Sequence, residues 1–257
     1  MPIKFFKYQS TGNDFVLIDN REGVFPGNDT AFINRLCDRK FGIGADGLIL
    51  LADSEIADFD MQYYNADGSL SSFCGNGSRA IVSFANYLGI IEDTARFEAY
   101  DGMHEAVISG NLIEVKMADV QNGRPVLNGT FIDTGSPHYI EIVENLDNID
   151  VVQQGKAARN LAIFAPDGSN INYVEKTGEG KIKVRTYERG VENETLSCGT
   201  GVTASAIIAA SSRPGNNILI STLGGELEVR FEKNDGGYHN IWLAGPTEMV
   251  FAGELVL

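Results

Sequence analysis

The feature that most constrains the fold of this chain is a seven-residue pattern that occurs twice, Cys-Gly-X-Gly-X-X-Ala. One copy begins at Cys74 and the other at Cys198, so that almost half of the 257 residues separate them. A largely apolar stretch follows each copy, at residues 80–88 and 204–210, and it predicts a helix that is buried on nearly all sides. The simplest architecture that buries both helices is a pair of similar domains, each with a sheet around one central helix.

Most of the remaining sequence alternates apolar and polar residues with the period of two that is typical of strands. The predicted strands are 15–19, 47–51, 59–64, 104–107, 112–117, 139–143, 170–175, 181–186, 217–221, 226–231 and 240–244. The predicted helices are 29–40, 75–88, 148–158 and 199–212. Turn sequences such as Ala66-Asp67-Gly68 favour hairpins, and a regular alternation of strand and helix is absent.

These patterns predict an α+β fold with two pseudo-symmetric domains. Each domain is expected to be a curved mixed or antiparallel β-sheet wrapped around its central helix. The two helix N-termini would face each other across a cleft between the domains, which would hold the active site. Residues 118–128 interrupt the strand pattern with polar and turn-forming side chains, so we place the boundary there. The predicted domains are 1–118 and 119–245, with the option that residues 246–257 complete the first.

Charge and composition exclude several classes of protein. The chain has 35 acidic and 20 basic residues and a net charge of −15, which is the wrong sign for a nucleic-acid partner. Residues 1–7 lack the uninterrupted apolar stretch of a secretion signal, and residues 199–212 are too few to span a bilayer. We therefore expect a soluble cytoplasmic protein without a membrane partner. The three cysteines lack the paired spacing of a zinc site, so no metal is predicted.

The two repeated cysteines are the first candidates for chemistry. A cysteine at the entry to a helix lies beside unsatisfied N–H groups and the positive end of the helix dipole, so its thiolate is favoured. The glycines that follow leave room for an anionic group, such as a ligand carboxylate, to approach the backbone amides. Those amides belong to Gly75, Asn76, Gly199 and Thr200. Buried structural cysteines are the alternative, which two matched copies disfavour; Cys37, in an apolar helical stripe, is expected to be such a core thiol.

Further candidates have both a functional and a structural interpretation. His138 follows a Gly-X-Pro turn and is either a structural loop residue or a proton partner for a thiol. Glu188 and Arg189 are either a solvated strand end or a pair that holds an ammonium and a carboxylate. Four asparagines could bind amino or carboxylate groups or belong to ordinary turns: Asn13, Asn65, Asn76 and Asn170. The repeat also contains the loose Gly-X-Gly-X-X-Ala fingerprint of a nucleotide site, but the first copy follows only a weak strand, and the second has no acidic residue before Glu226.

Eight motifs in this sequence resemble those of the diaminopimelate epimerases and occur in the family's order. They are at residues 10–15, 42–47, 64–69, 74–77, 135–138, 170–173, 187–190 and 194–201. The resemblance implies a cofactor-free isomerase of lysine biosynthesis that interconverts LL-2,6-diaminopimelate and its meso isomer, a peptidoglycan precursor in many bacteria. It also implies a two-domain α+β fold and a homodimer, with diaminopimelate as the small-molecule partner.

The resemblance also implies a role for each matched residue. Cys74 and Cys198 would be the acid/base pair, and His138 and Glu188 would support them. The substrate would be held by the side chains of Asn13, Asn65, Asn170, Glu188 and Arg189 and by the amides of Gly75, Asn76, Gly199 and Thr200. Two positions depart from the family pattern, since Ser136 replaces a common asparagine and Gly47 stands where some members have a glutamine. The stretch 190–195 is also one residue longer than the common form.

Paired thiols suit the inversion of an amino-acid α-carbon, because a base must remove the proton from one face while an acid supplies another to the opposite face. Three alternatives remain at this point. The chain could be a racemase of another amino acid from the proline racemase-like group, a non-catalytic amino-acid-binding protein, or a dithiol redox protein. The first is disfavoured by residues 64–69 and 187–190, and the second by the presence of both cysteines.

Overall fold

A computed structural model describes residues 2–27, 29–71, 74–210 and 216–255. The chain divides into two compact units. The first unit comprises Met1–Val115 and Gly245–Leu257, and the second comprises Lys116–Ala244. No helix in the described ranges is long and apolar enough to cross a membrane.

The chain forms eighteen strands and four α-helices within the described residues. The strands are β1 (Ile3–Ser10), β2 (Asn13–Asp19), β3 (Gly47–Ala52), β4 (Phe59–Asn65), β5 (Thr94–Ala99), β6 (Gly102–Ser109), β7 (Leu112–Lys116), β8 (Val120–Gln121), β9 (Arg124–Val126), β10 (Gly129–Asp133), β11 (Pro137–Ile142), β12 (Asn170–Gly178), β13 (Lys181–Glu188), β14 (Asn193–Thr195), β15 (Asn217–Thr222), β16 (Gly225–Asn234), β17 (Gly237–Pro246) and β18 (Glu248–Leu255). The helices are α1 (Thr30–Cys37), α2 (Gly75–Tyr87), α3 (Val151–Arg159) and α4 (Gly199–Ala210), and the 3-10 turns are Leu146–Asn148 and Ala162–Phe164.

The two units repeat one order of strand pairing. In the first unit, β1–β2, β3–β4, β5–β6 and β6–β7 are antiparallel, whereas β2–β3 and β4–β5 are parallel. In the second unit, β10–β11, β12–β13, β15–β16 and β16–β17 are antiparallel, whereas β11–β12 and β13–β15 are parallel. Each parallel step passes through a helix or a long connection, as a parallel pair requires. The predicted α+β fold with two pseudo-symmetric domains is confirmed.

Each unit buries one helix against its own sheet. Helix α2 contacts β1, β2, β3 and β6, and α4 contacts β10 to β13, β15 and β16. In α2 the side chains of Ala80, Ile81 and Phe84 lie in an apolar core with residues such as Phe15 and Ile49. Helix α2 confirms 75–87 of the predicted 75–88, with Leu88 as its C-cap, and α4 confirms 199–210 of the predicted 199–212. The last two residues of that prediction lie outside the described ranges.

A buried ion pair fixes the start of the first unit. Lys7, on β1, lies in the interior with its Nζ 2.7 Å from Asp14 Oδ2, and it also donates to the Gly44 carbonyl. Arg39 forms two parallel hydrogen bonds to the Asp14 carboxylate, at 2.7 and 2.9 Å. Burial by itself raises the pKa of Asp14, but the hydrogen bonds and charges of Arg39 and Lys7 outweigh it and lower the pKa to about 2. Asp14 thereby joins β1, β2 and the 38–46 loop.

Replacement of Asp14 by asparagine is expected to lower the free energy of unfolding by about 3–5 kcal/mol at neutral pH, because the Lys7 ammonium loses its anion in the interior. The pKa of Asp14 is lower in the fold than the value of about 3.9 for an unfolded aspartate. The contribution of ionised Asp14 to the free energy of unfolding is therefore complete above about pH 4 and is lost as the pH falls towards 2. Urea denaturation should show the difference between wild type and D14N narrowing over that interval.

The matched control for this measurement is Asp19→Asn on the same strand. Asp19 pairs with Arg21 at 2.7 Å, but about a third of each side chain is exposed, so the change should be below about 1 kcal/mol. A difference between wild type and D14N that stays constant down to pH 2 would show that Asp14 is not the ionised partner of Lys7.

Candidate active site

The first half of the candidate site lies at the N-terminus of α2. Cys74 has an extended backbone and caps the helix, and its Sγ accepts a hydrogen bond from the Gly77 N–H at 3.4 Å. As a thiol, the same sulfur donates to Asn13 Oδ1 at 3.9 Å. The first N–H groups of a helix lack intrahelical acceptors and carry the positive end of the dipole, so this position favours the sulfur as an anion.

Asn13 is held in one orientation by two neighbours. Its Nδ2 donates to Asp46 Oδ2 at 2.6 Å, and its Oδ1 accepts from Asn76 Nδ2 at 3.3 Å. Asp46 is itself held by Arg39, whose Nη2 lies 2.7 Å from Asp46 Oδ1. The carboxylate therefore fixes which end of the Asn13 amide faces Cys74.

Asn65 ends strand β4 at the edge of the sheet where β2 begins with Asn13. It pairs in register with Gly47, and its Nδ2 donates to Ser69 Oγ at 3.2 Å. A Cβ at Gly47 would lie 2.6 Å from the ring of Tyr63, so this position admits no side chain. Some family members have a glutamine where this chain has Gly47. Here the ring of Tyr63 occupies the space that such a side chain would need.

The second half of the candidate site lies at the N-terminus of α4, around Cys198. Its Sγ is 3.6 Å from Thr200 Oγ1. Thr200 Oγ1 is 2.9 Å from His138 Nε2, and His138 Nδ1 is 3.0 Å from Asn172 Nδ2. Cys198 and His138 are both buried. His138 therefore reaches the sulfur through the Thr200 hydroxyl.

The direction of these hydrogen bonds follows from Asn172. Its Oδ1 accepts from Thr186 Oγ1 at 2.9 Å, and its Nδ2 donates to the Tyr139 carbonyl, which can only accept, at 3.2 Å. The second Nδ2 hydrogen then points to Nδ1 of His138, so the imidazole carries its proton on Nε2. Asn172 can lie against α4 only because Gly201 has no side chain, since a Cβ there would be 2.6 Å from Asn172 Oδ1.

His138 is neutral in this environment. Burial lowers its pKa to about 3, and the nearby charge of Arg189 acts in the same direction. A neutral imidazole with its proton on Nε2 donates to Thr200 Oγ1, which leaves the hydroxyl hydrogen for Cys198 Sγ. The arrangement is a chain of donors that stabilises a thiolate at Cys198 without a positive charge on the histidine.

Asn170, Glu188 and Arg189 lie at neighbouring strand ends of the second unit. Asn170 Oδ1 accepts from the Arg189 backbone N–H at 2.8 Å, and its Nδ2 donates to Ser136 Oγ at 3.0 Å and to the Pro137 carbonyl at 3.1 Å. Both amide hydrogens are thus used within the unit, and Ser136, the departure from the family pattern, is one of the acceptors. Glu188 ends β13 and is half-buried, as is Arg189.

The structure places Cys74, Gly75 and Asn76 at the start of α2, and Cys198, Gly199 and Thr200 at the start of α4. Asn13 contacts the first group, and His138 reaches the second through Thr200. The remaining predicted residues lie at strand ends: Asn65 in the first unit, and Asn170, Glu188 and Arg189 in the second. Among the described residues, no group of three or more His, Cys, Asp and Glu side chains is arranged to hold a metal ion.

The sequence interpretation missed three residues that hold these groups in place: Asp46, Arg79 and Asn172. Asn172 had a signal, because it is two residues from Asn170 and so lies on the same face of its strand. Arg79 is a charged residue inside an otherwise buried helix, which is an unusual place for an arginine. Asp46 looked like part of an ordinary glycine-rich turn.

Comparison with solved structures defines the class of fold. The chain is similar over its whole length to a PhzF-family phenazine biosynthesis protein from Bacillus anthracis, with a TM-score of 0.79, 16% identity and full coverage of both chains. It is also similar to a hydroxyproline epimerase from Agrobacterium vitis, with a TM-score of 0.69, 14% identity and coverage of 100% of this chain and 93% of the other. These likenesses place the chain in a two-domain fold shared by epimerases and PhzF proteins.

Comparison of sequences then gives the family. The family description "Diaminopimelate epimerase" matches residues 5–123 and 130–250. A diaminopimelate epimerase of Flavobacterium psychrophilum is 49% identical over 97% of this chain and 98% of its own, and one of Chlorobaculum tepidum is 41% identical over 96% and 98%. The chain belongs to the diaminopimelate epimerase family, which confirms the resemblance seen in the motifs.

Replacement of Thr200 by valine is expected to slow the alkylation of Cys198 by iodoacetamide about tenfold near pH 7, because the thiolate loses the hydroxyl of the donor chain. Peptide mapping by mass spectrometry gives the rate at each cysteine separately. The control is Thr203→Val on the same helix, since Thr203 Oγ1 donates to the Gly199 carbonyl. Equal alkylation rates at Cys198 in T200V and wild type would show that the chain of donors through Thr200 does not stabilise the Cys198 thiolate.

Proposed function

We propose that this chain is an isomerase that interconverts LL-2,6-diaminopimelate and meso-2,6-diaminopimelate without a cofactor. The observation that carries the proposal is the pair of matched helix N-termini, each with a cysteine whose sulfur lies against hydrogen-bonding groups. Membership of the diaminopimelate epimerase family supports the substrate.

In the proposed reaction one cysteine acts as a thiolate and the other as a thiol. The thiolate takes the proton from the substrate α-carbon, so that a C–H bond breaks and an S–H bond forms. The thiol gives its proton to the opposite face of the same carbon and becomes the thiolate. The net change is inversion at the carbon with the protonation of the two sulfurs exchanged, and the reverse reaction uses Cys74 and Cys198 in the opposite roles.

The α-carboxylate would bind at the helix N-termini, at the amides of Gly75 and Asn76 and of Gly199 and Thr200. Negative charge spreads onto this carboxylate as the proton leaves, and oriented N–H groups stabilise it more than they stabilise the ground state. In other amino-acid isomerases an electron-accepting cofactor stabilises the charge of the carbanion. Here the oriented N–H groups would provide that stabilisation.

The remaining predicted residues would hold the rest of the substrate. Arg189 offers a planar pair of donors that suits a carboxylate, and Glu188 beside it offers an acceptor for an ammonium group. Asn13 and Asn65 present amides at the sheet edge near Cys74. Asn170, whose Oδ1 accepts from the Arg189 N–H, would set the position of that arginine.

The proposal is tested by incubating the purified protein with LL-diaminopimelate, without added cofactor, and following the meso isomer by chiral separation. Cys74→Ala and Cys198→Ala should each abolish formation of the meso isomer, because each removes the only base or acid on one face of the carbon. Cys37→Ala is the matched control and should retain activity. Burial raises the pKa of the Cys37 thiol to about 11, so this thiol does not ionise near neutral pH.

Two results would contradict the proposal. Wild type that forms no meso isomer would exclude the substrate, and substantial turnover by either C74A or C198A would exclude the two-thiol mechanism. Circular dichroism of both variants shows whether the fold is retained. Transfer of the assay to deuterated water adds a second measurement, since a single-cysteine variant should exchange the α-proton of only one isomer efficiently.

We also propose that the chain forms a homodimer through strand β18. In the described part of the sheet β18 pairs only with β1, so its other edge carries unpaired backbone groups. Three consecutive apolar residues on it are exposed, Met249 at 41%, Val250 at 54% and Phe251 at 46%. An apolar strand edge of this kind is typical of an interaction surface.

The change Val250→Glu should convert the dimer to a monomer in sedimentation velocity at micromolar concentration, because a charge would be buried without a partner. The control is Ile56→Glu, at a residue that is 65% exposed and lies away from β18 in the chain. Sedimentation of the wild type as a monomer, or of V250E as a dimer, would overturn the proposal.

A cytoplasmic location is proposed for a chemical reason. The reaction needs both cysteines as free thiols, and the three described cysteines are free. Thiols persist in a reducing compartment, whereas they oxidise outside it. The product would serve lysine biosynthesis, and the meso isomer would also be available for peptidoglycan.

A further inference from the structure

A fully buried arginine lies beside Cys74. Arg79 is 0% exposed and follows Cys74 by five residues on α2. Its Nη2 donates to Asn76 Oδ1 at 2.9 Å and to Thr11 Oγ1 at 3.1 Å, and its Nη1 donates to the Gly75 carbonyl at 3.4 Å. Its Nε is buried and has no hydrogen-bond partner among the described residues. Every acceptor of this guanidinium is a neutral group.

A buried cation without an anion is unstable, because neutral acceptors recover only part of its lost hydration. None of the ion pairs within the described ranges includes Arg79. Burial lowers the pKa of Arg79 to about 10, and the only charge that acts against this shift is that of Cys74. The guanidinium therefore stays charged near pH 7, and among the described residues Cys74 is the group that can supply its counter-charge.

Arg79 also fixes the amides around the sulfur. It holds Asn76 by Oδ1, which turns Asn76 Nδ2 towards Asn13 Oδ1 at 3.3 Å. Asn13 Oδ1 is the atom to which the Cys74 thiol donates. A change at Arg79 thus alters both the charge near the sulfur and the orientation of its amide neighbours.

In the described part of the second unit, no charged residue stands at the helix position that matches Arg79. The residue that follows Cys198 by five is Thr203, whose Oγ1 donates to the Gly199 carbonyl. His138, which reaches Cys198 through Thr200, is neutral. The two helix starts therefore match in backbone but differ in buried charge.

We propose that Arg79 is a positioning residue whose buried positive charge stabilises the thiolate of Cys74. This inference rests on the proposed two-thiol function, because it concerns the ionisation of one sulfur of that pair. Arg79 would act when Cys74 carries the negative charge, and the Thr200 hydroxyl would act when Cys198 carries it.

The test measures the alkylation rate of each cysteine in the substrate-free protein between about pH 5 and pH 9, with iodoacetamide and peptide mapping. In wild type the rate at Cys74 should reach half its maximum well below the value of about 8.5 for a free cysteine. Arg79→Met, which is neutral and of similar length, should lower the Cys74 rate near pH 6 about tenfold or more, since a nearby opposite charge favours a thiolate by about one pKa unit or more.

Two internal controls separate the charge from packing. Arg79→Lys keeps a cation and should retain most of the early ionisation of Cys74 while disturbing the Asn76 contact. Cys198 in the same R79M sample should keep its wild-type pH profile, and Thr203→Val at the matched position should leave Cys74 unchanged. Circular dichroism and thermal unfolding of each variant show whether α2 is intact.

The inference is overturned by any of three results. They are a wild-type Cys74 that ionises at or above about pH 8.5, an unchanged Cys74 profile in a folded R79M, and an equal fall in R79K and R79M. The first result decides the question even if R79M does not fold. Because no substrate is present, these outcomes are independent of the epimerase assay: an active enzyme with an unchanged Cys74 profile refutes the role of Arg79 alone.

Discussion

A helix that is apolar on nearly every side has to be enclosed by a sheet, and its first N–H groups then lie away from bulk water. This constraint governs both units of the protein. In α2 and α4 a cysteine stands at that end of the helix, and only a few polar side chains reach it. Asn13 lies against the first sulfur and Thr200 against the second. The proposed chemistry depends on how strongly these contacts stabilise a negative charge on each sulfur.

The two units use the same backbone plan with different polar groups. The first places a charged Arg79 in the interior and connects it to the sulfur through Asn76 and Asn13. The second uses an uncharged chain of donors that ends at the Thr200 hydroxyl. A reaction that runs in both directions needs two sulfurs that can each carry the negative charge. The two matched helices provide for this charge with different side chains.

Several strands could not be read from the sequence, for reasons visible in their side chains. The alternation of β1 is broken by Lys7, which is buried because Asp14 and Gly44 receive its ammonium. Strand β18 has consecutive exposed apolar residues and so lacks a buried face. Strands β5 and β10 were also not predicted, although β5 has the same length as the predicted β3. By contrast, α2 and α4 were recognisable because their burial on all sides leaves long apolar runs.

The sequence by itself determined the two cysteines at helix starts, the sheet-rich α+β plan and the family, because each rests on local pattern or on motifs in order. Only the tertiary structure decided which polar groups meet. Asn172 contacts His138 across 34 residues, and Arg79 contacts Thr11 across 68. Such pairs form where strands and helices pack side by side, and no local periodicity encodes them. The difference between the polar surroundings of Cys74 and Cys198 was likewise decided by the tertiary structure, because packing determines which side chains lie around each sulfur.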